Sequence, residues 1–344
     1  MDARRVPGEW EEHAATLVAW PTREAVWSPW QERAVAEYTA LVHTLARDEP
    51  VVVVCHPRDE PRVRGLLPEG GRLLVHPIDD GWVRDNGPFL VTGAGGARVV
   101  DFRFNSWGGR FLPYTGDDSL GAAIAAHFEL PLHREPFVLE GGAISVNGAG
   151  SAVVVEECVL HPSRNGPVTR GRFEDAVLRG LGVRHVIWLP YGLVEDLANT
   201  DGHVDNVAVF TGTRELLVQT APGGNPNHAR LAANLEVLAR SRLADGEPLT
   251  VRRMEHLPYA VMPDGSAQPA PYVNFALTNR GVILPSVGAP TDGEAARQLG
   301  RVFPGRKVRF TPAVALTHGG GGPHCVTLQW PAPGAGTAAR RKAP

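Results

Sequence analysis

The chain has 344 residues, 43% hydrophobic and 21% charged, an ordinary globular composition with ample material for a core. A formal net charge of −3, without any block of like charges, argues against nucleic acid or a membrane surface as partner. Three cysteines with no CxxC spacing argue against a disulfide framework or a zinc knuckle, the early arginines are not followed by the apolar stretch of a secretory signal, and the longest apolar runs are strand-sized, so the expected compartment is the cytoplasm.

In chain order, the pattern predicts a strand over Thr16–Trp20, a helix over Trp30–Arg47 and a buried strand over Val51–Cys55. FLVTGAGGARVVDF reads as a hairpin turning at Gly93–Gly96, followed by a helix over Asp118–Phe128 and a strand over Phe137–Leu139. The same sequence of elements recurs three times. AISVNGAGSAVVVEECVL turns at Asn147–Gly150 and leads to helix Arg172–Leu181 and strand Arg184–Leu189. VAVFTGTRELLVQ turns at Thr211–Thr213 and leads to helix Asn227–Arg242 and strand Leu249–Arg253. YVNFALTNRGVILP turns at Asn279–Gly281 and leads to helix Gly293–Phe303 and strand Lys307–Thr311. CVTLQW is half of a last hairpin, and Thr16–Trp20 supplies its other half. The expected fold is therefore α/β, five β-β-α-β units around a pseudo-fivefold axis, forming one catalytic α/β propeller domain over residues 1–331. An open α/β sheet with antiparallel excursions is the alternative. Residues 332–344 hold too little apolar content to pack and read as a disordered tail.

The repeat places the reactive residues. The segment between each post-helix strand and the next hairpin should sit at one radius. Those segments contain WVRDNGP with Asp85, LEGG with Glu140, TDGHVDN with His203 and Asp205, and GGGGPHC with Cys325. The remaining junction, Met254 to Ala270, carries no acid, His-Asp pair or thiol at a matching place and reads as a rim or lid. Cys55 and Cys158 read as buried strand thiols, small hydrophobes in effect. Cys325 comes after four glycines, a proline and a histidine, a run that lets backbone approach closely and exposes the first residue of the strand beyond it. His203 is the acid/base partner that a dispersed Cys–His arrangement needs. His203 and Asp205 would otherwise be two legs of a metal site, but His161, His318 and His324 form no recognisable ligand spacing with them. Glu140 taken alone is an ordinary strand-end acid, and its equivalent position makes it a site candidate.

VPGEWEEHAATLVAWP, WVRDNGP, FNSWGG, LEGGA, EECVL with RNG, TDGHVDN, YVNF and GGxxHCVT, in that order from residue 6 to 331, resemble the agmatine deiminases of the guanidino-group-modifying superfamily, within the peptidylarginine deiminase-like family. The resemblance implies the fivefold propeller, Cys325 as nucleophile, His203 as general acid/base, Asp85 and Asp205 as guanidinium ligands and Glu140 as a supporting carboxylate. It also implies a small cationic guanidino substrate, no metal, no organic cofactor and a homo-oligomer. The implied reaction is agmatine plus water giving N-carbamoylputrescine and ammonia in putrescine biosynthesis, through a covalent thiouronium on Cys325. Those residue types suit it: carboxylates grip a planar guanidinium by charge-assisted bonds, and a nearby cation favours the thiolate. Trp82 and Trp107 read as pocket walls, where an aromatic face favours a cation, or equally as core. The alternatives are a deiminase of another guanidino compound or of peptidyl arginine, and a metal-dependent amidinohydrolase. Relative to the family pattern around the thiol, Gly322 replaces Asn, Pro323 replaces Ile or Val, and Leu328 replaces Gln. The hairpin after Glu140 departs at Ala143, Ser145 and Asn147.

Overall fold

The computed structural model describes residues 4–332, so the tail read over 332–344 lies, but for Ala332, outside the described residues. Five sheets share one plan, an antiparallel hairpin whose second strand pairs in parallel with a strand reached through a helix. The first aligns Thr327–Pro331, His13–Ala19, Val51–Cys55 and Arg72–Val75, so the two ends of the chain meet with Thr16 opposite Gln329. The others are Phe89–Gly93 with Gly96–Arg103 and Leu132–Val138, Ile144–Val146 with Ser151–Val155 and His185–Leu189, Ala208–Gly212 with Glu215–Gln219 and Thr250–Met254, and Ala276–Leu277 with Gly281–Ser286 and Lys307–Pro312. The crossover helices are Gln31–Leu45, Leu120–His127, Arg170–Leu181, His228–Leu238 and Asp292–Val302. The single open sheet weighed as an alternative is absent among the described residues, whose strands fall into six separate sheets.

Local sequence explains most of these elements. All five residues of Val51–Cys55 are buried, as expected of a parallel strand with both faces covered. Helix Arg170–Leu181 starts where Thr169 accepts a hydrogen bond from Arg172 N, and stops at Gly182 in a left-handed conformation, φ +72°. A Cβ at Gly182 would lie 2.1 Å from the Arg4 carbonyl oxygen, so only glycine closes this helix against the N-terminal segment.

Three elements exceed what the sequence pattern predicts. Leu132–Val138 runs five residues upstream of the expected start at Phe137, because its first three residues are exposed and carry no alternating apolar signal. Parallel pairing with Val99–Arg103 sets its extent instead. Arg72–Val75 extends the first sheet after helix Glu60–Leu66. The long junction from Met254 to Ala270 holds a small hairpin, Tyr259–Val261 with Ala267–Pro269. No helix of the described residues is long and apolar enough to cross a membrane.

Candidate active site

Each junction delivers its side chain from a tight turn placed just ahead of a strand. Asp85 lies in the helical turn Val83–Asn86 before Phe89–Gly93, and Glu140 immediately precedes the turn Gly141–Ala143. His203 caps the turn Val204–Asn206, which contains Asp205, and Cys325 lies two residues before Thr327–Pro331. All five are buried. Cys325 Sγ is 3.5 Å from Asp205 Oδ2, His203 Nδ1 is 3.7 Å from Asp85 Oδ1, and His203 Nε2 is 3.9 Å from Glu140 Oε2. Gly142 marks the point where Asp85, His203 and Asp205 meet. Its N–H donates to Asp85 Oδ1 at 2.9 Å. A Cβ there would stand 2.6 Å from His203 Nδ1, 2.7 Å from Asp85 Oδ1 and 3.0 Å from Asp205 Oδ2, so any side chain would displace the groups that converge.

The cluster opens into a cleft of about 450 Å³, with Cys325, His203, Asp85, Trp82, Trp107, Asn199 and Gly320 in its wall. Both tryptophans are wall and core at once. The Trp82 ring stacks on Trp27 at 5.2 Å, and its Nε1 donates to Asp80. Trp107 Nε1 donates to Asp85 Oδ2 at 3.0 Å, fixing that carboxylate. Trp107 follows Ser106 in a left-handed conformation, φ +52° and +55°, a strained pair of the kind that gathers at functional sites.

Electrostatics separates the two aspartates. Burial pushes Asp85 up to about 6, with the charges of Asp205 and Glu140 adding to it and His203 opposing. Burial acts on Asp205 too, but the hydrogen bond and charge of His324, helped by His203 and Arg84, bring it below its ordinary value. Burial, then Asp205 and Asp85, push the Cys325 thiol well above its ordinary range, so without a cation in the cleft it is protonated at neutral pH. Burial lowers His203, but the attraction of Asp85, with Asp205 beyond it, outweighs this and holds the ring protonated well above the ordinary histidine range.

The structure adds residues to which the sequence analysis gave no part in the chemistry. Arg164, within RNG, donates to Glu140 Oε1 at 2.7 Å and to the Thr200 carbonyl, and pairs with Asp201. Asp196 accepts from His203 N at 2.9 Å and from Thr200 and Asn206. Just past the junction Met254–Ala270, which carries no reactive residue at a matching place, Asn274, the Asn of YVNF, stands ahead of Ala276–Leu277 and donates to Cys325 Sγ at 3.1 Å. The nearby hairpin lines a hollow with Gln268 and Pro269 that shares Asn199, Asn206 and Gly320 with the cleft wall, in keeping with a rim. His324, weighed by sequence only as a metal ligand, bridges Asp205 and Glu9. Of the hairpin departures, Ser145 accepts from Phe210 N and Asn147 closes its own turn.

Cys158 is not a strand thiol. It lies in the helical turn Glu156–Val159 and donates to the Thr200 carbonyl at 3.3 Å, behind His203. Glu140, Cys158 and His203 offer donor atoms within 4.8 Å of one another. The guanidinium of Arg164 holds that same Glu140, and its positive charge opposes a second cation there. His161 and His318 bond instead to Ser163 and to the Ser28 carbonyl.

The model of the family described as Porphyromonas-type peptidyl-arginine deiminase matches residues 5–331. The agmatine deiminase of Stutzerimonas stutzeri is 38% identical, with 97% of each chain covered. That of Pseudomonas aeruginosa is 37% identical, with 96% of each covered. The solved structure of the agmatine deiminase of Enterococcus faecalis superposes with a TM-score of 0.91 at 29% identity, covering 96% of both chains.

Proposed function

Because this chain belongs to the Porphyromonas-type peptidyl-arginine deiminase family, we propose that it is a hydrolase acting on the C–N bond of a linear amidine, and that agmatine is its substrate. The products would be N-carbamoylputrescine and ammonia, a step of putrescine biosynthesis. The observation that carries this reading is the convergence of an imidazole and two carboxylates on one glycine, with a thiol 3.5 Å from one of those carboxylates, in a chain alike over its whole length to agmatine deiminases.

In this reading Asp85 and Asp205 grip the N–H edges of the guanidinium and hold its plane against Cys325. The incoming cation offsets the two carboxylates that keep the thiol protonated, and the thiolate attacks the guanidino carbon. A carbon–sulfur bond forms and a carbon–nitrogen bond breaks. The thiol proton passes to solvent, and His203 gives one proton to the departing nitrogen, which leaves as ammonia, so the thiouronium on Cys325 keeps the single positive charge of the substrate. Water activated by His203 then adds to the same carbon, the carbon–sulfur bond breaks, and the ureido product leaves with the thiol restored. Glu140, itself tied to Arg164, orients the imidazole. No step calls on a metal or an organic cofactor.

The same reading extends to architecture. Five sheets of one strand order, each junction ending near the cleft, support five β-β-α-β units around a pseudo-fivefold axis acting as one catalytic domain. The test is ammonia release from agmatine, free arginine, a peptidyl arginine and other guanidino compounds. Agmatine should be hydrolysed with the highest kcat/KM, and a better substrate elsewhere in the panel would overturn the assignment.

A further inference from the structure

The proposed reaction leaves His324 without a role, although it precedes the proposed nucleophile by one residue and is 4% exposed. Both ring nitrogens meet carboxylates. Nδ1 lies 2.9 Å from Asp205 Oδ2, and Nε2 lies 3.0 Å and 3.1 Å from the two oxygens of Glu9. A ring donating to carboxylates from both nitrogens is an imidazolium. Arg84, equally buried, closes the cluster. It reaches Glu9 Oε1 at 3.2 Å, the His324 carbonyl at 3.3 Å and Gln329 Oε1 at 2.9 Å. The charged groups around the ring are thus Glu9 from the N-terminal segment, Arg84 from the turn Val83–Asn86, and Asp205. Beyond them stand His13 near Glu9, and His203 and Cys325 near Asp205. Two carboxylates and two cations balance. Arg84 and His324 together overcome burial at Glu9 and bring it down to about 2, so it stays ionised across the working range. With Oδ2 of Asp205 taken up by the ring, its Oδ1 is buried without a hydrogen-bond partner among the described residues.

We propose that His324 is a positioning residue for deimination: it holds Asp205 by Oδ2, leaves Oδ1 for the guanidinium, and is the built-in counter-cation of that carboxylate beside Cys325. Glu9 and Arg84 in turn hold His324 in place. This rests on reading Asp205 as a guanidinium ligand. It also assigns a purpose to the N-terminal PGEWEE segment, which reaches the site through Glu9 across 315 positions of sequence.

The pH profile of kcat/KM on agmatine distinguishes this from a merely structural contact. In the wild-type enzyme only Asp85, at about 6, should titrate on the acid limb, which falls tenfold per pH unit. His324→Asn keeps a donor near Asp205 but removes the charge, so Asp205 should titrate as well. The limb should then steepen toward a hundredfold per unit, with KM rising more than kcat falls. Glu9→Gln, which leaves the imidazole in place, should shift the limb the same way by less. An acid limb unaltered in Glu9→Gln and in any folded His324→Asn, with only the melting temperature lowered, overturns the proposal. If His324→Asn does not fold, Glu9→Gln alone decides. If the wild-type enzyme leaves agmatine intact, the substrate reading fails separately, and the same profiles are taken on the guanidino compound hydrolysed fastest.

Discussion

Asp85 and Asp205 precede equivalent strands and are almost equally buried, 5% and 3% exposed, yet their surroundings differ in sign. Asp85 is held by neutral donors, Trp107 Nε1 and Gly142 N, with its nearest cation, His203, 3.7 Å away. Asp205 has a cation bonded to it, His324, which a further carboxylate and an arginine hold in place. Two buried carboxylates near a thiol cannot all carry charge without compensation. The protein gives Asp205 a hydrogen-bonded cation and leaves Asp85 with only the more distant His203. On the proposed reading the guanidinium adds the bonded cation that Asp85 lacks and so favours its ionised form.

The largest effects should come from breaking this asymmetry. Asp205→Asn removes a buried partner of His324 and, on the proposed reading, a guanidinium ligand. It should cost about 3–5 kcal/mol of stability besides abolishing turnover, read by thermal unfolding and ammonia release. Asp85→Asn keeps an oxygen for Gly142 N but sets an amide nitrogen against the Trp107 Nε1 donor, so its melting temperature should fall, by less than that of Asp205→Asn. Its kcat/KM should drop by ~1.5–3 kcal/mol of lost interaction, roughly 10- to 150-fold. The sign of the pH effect also separates the pair. Asp85 is raised to about 6, so activity present above that pH is lost as pH falls through it, and Asp85→Asn should lose this limb. Equal destabilisation by the two variants would break the comparison.

A smaller effect sharpens it at the thiol. Gly322 stands where the family pattern has Asn, and a Cβ there would come 2.6 Å from Asn274 Oδ1. Gly322→Asn should therefore move Asn274, which donates to Cys325 Sγ, and shift thiol alkylation to higher pH while lowering kcat modestly. An unchanged alkylation profile would mean that the loop accommodates the larger residue away from Asn274.

The difference between the two aspartates also marks what the sequence can reveal. The repeat of turn signals and helical stretches exposes the five units, and with them the junctions that carry Asp85, Glu140, His203, Asp205 and Cys325. Strand Leu132–Val138 escapes because its polar, exposed start is ordered by pairing with Val99–Arg103 and not by any local pattern. The supports of the site escape for the same reason. Glu9 meets His324 across 315 positions and Arg164 meets Glu140 across 24, so nothing in the spacing around either residue states its partner. Asn274 lies in a recognisable motif, but an amide two residues before a strand has no distinctive chemistry until the thiol stands beside it.

The central claim is that Cys325 carries the substrate covalently, and one experiment tests it most directly. Wild-type protein mixed with saturating agmatine and quenched rapidly in acid should show, by intact mass, a fraction heavier by agmatine less ammonia. Peptide mapping should place the adduct on the segment containing Cys325, and Cys325→Ser should show neither adduct nor turnover. Turnover retained in Cys325→Ala, or an adduct mapped to Cys55 or Cys158, would contradict the account.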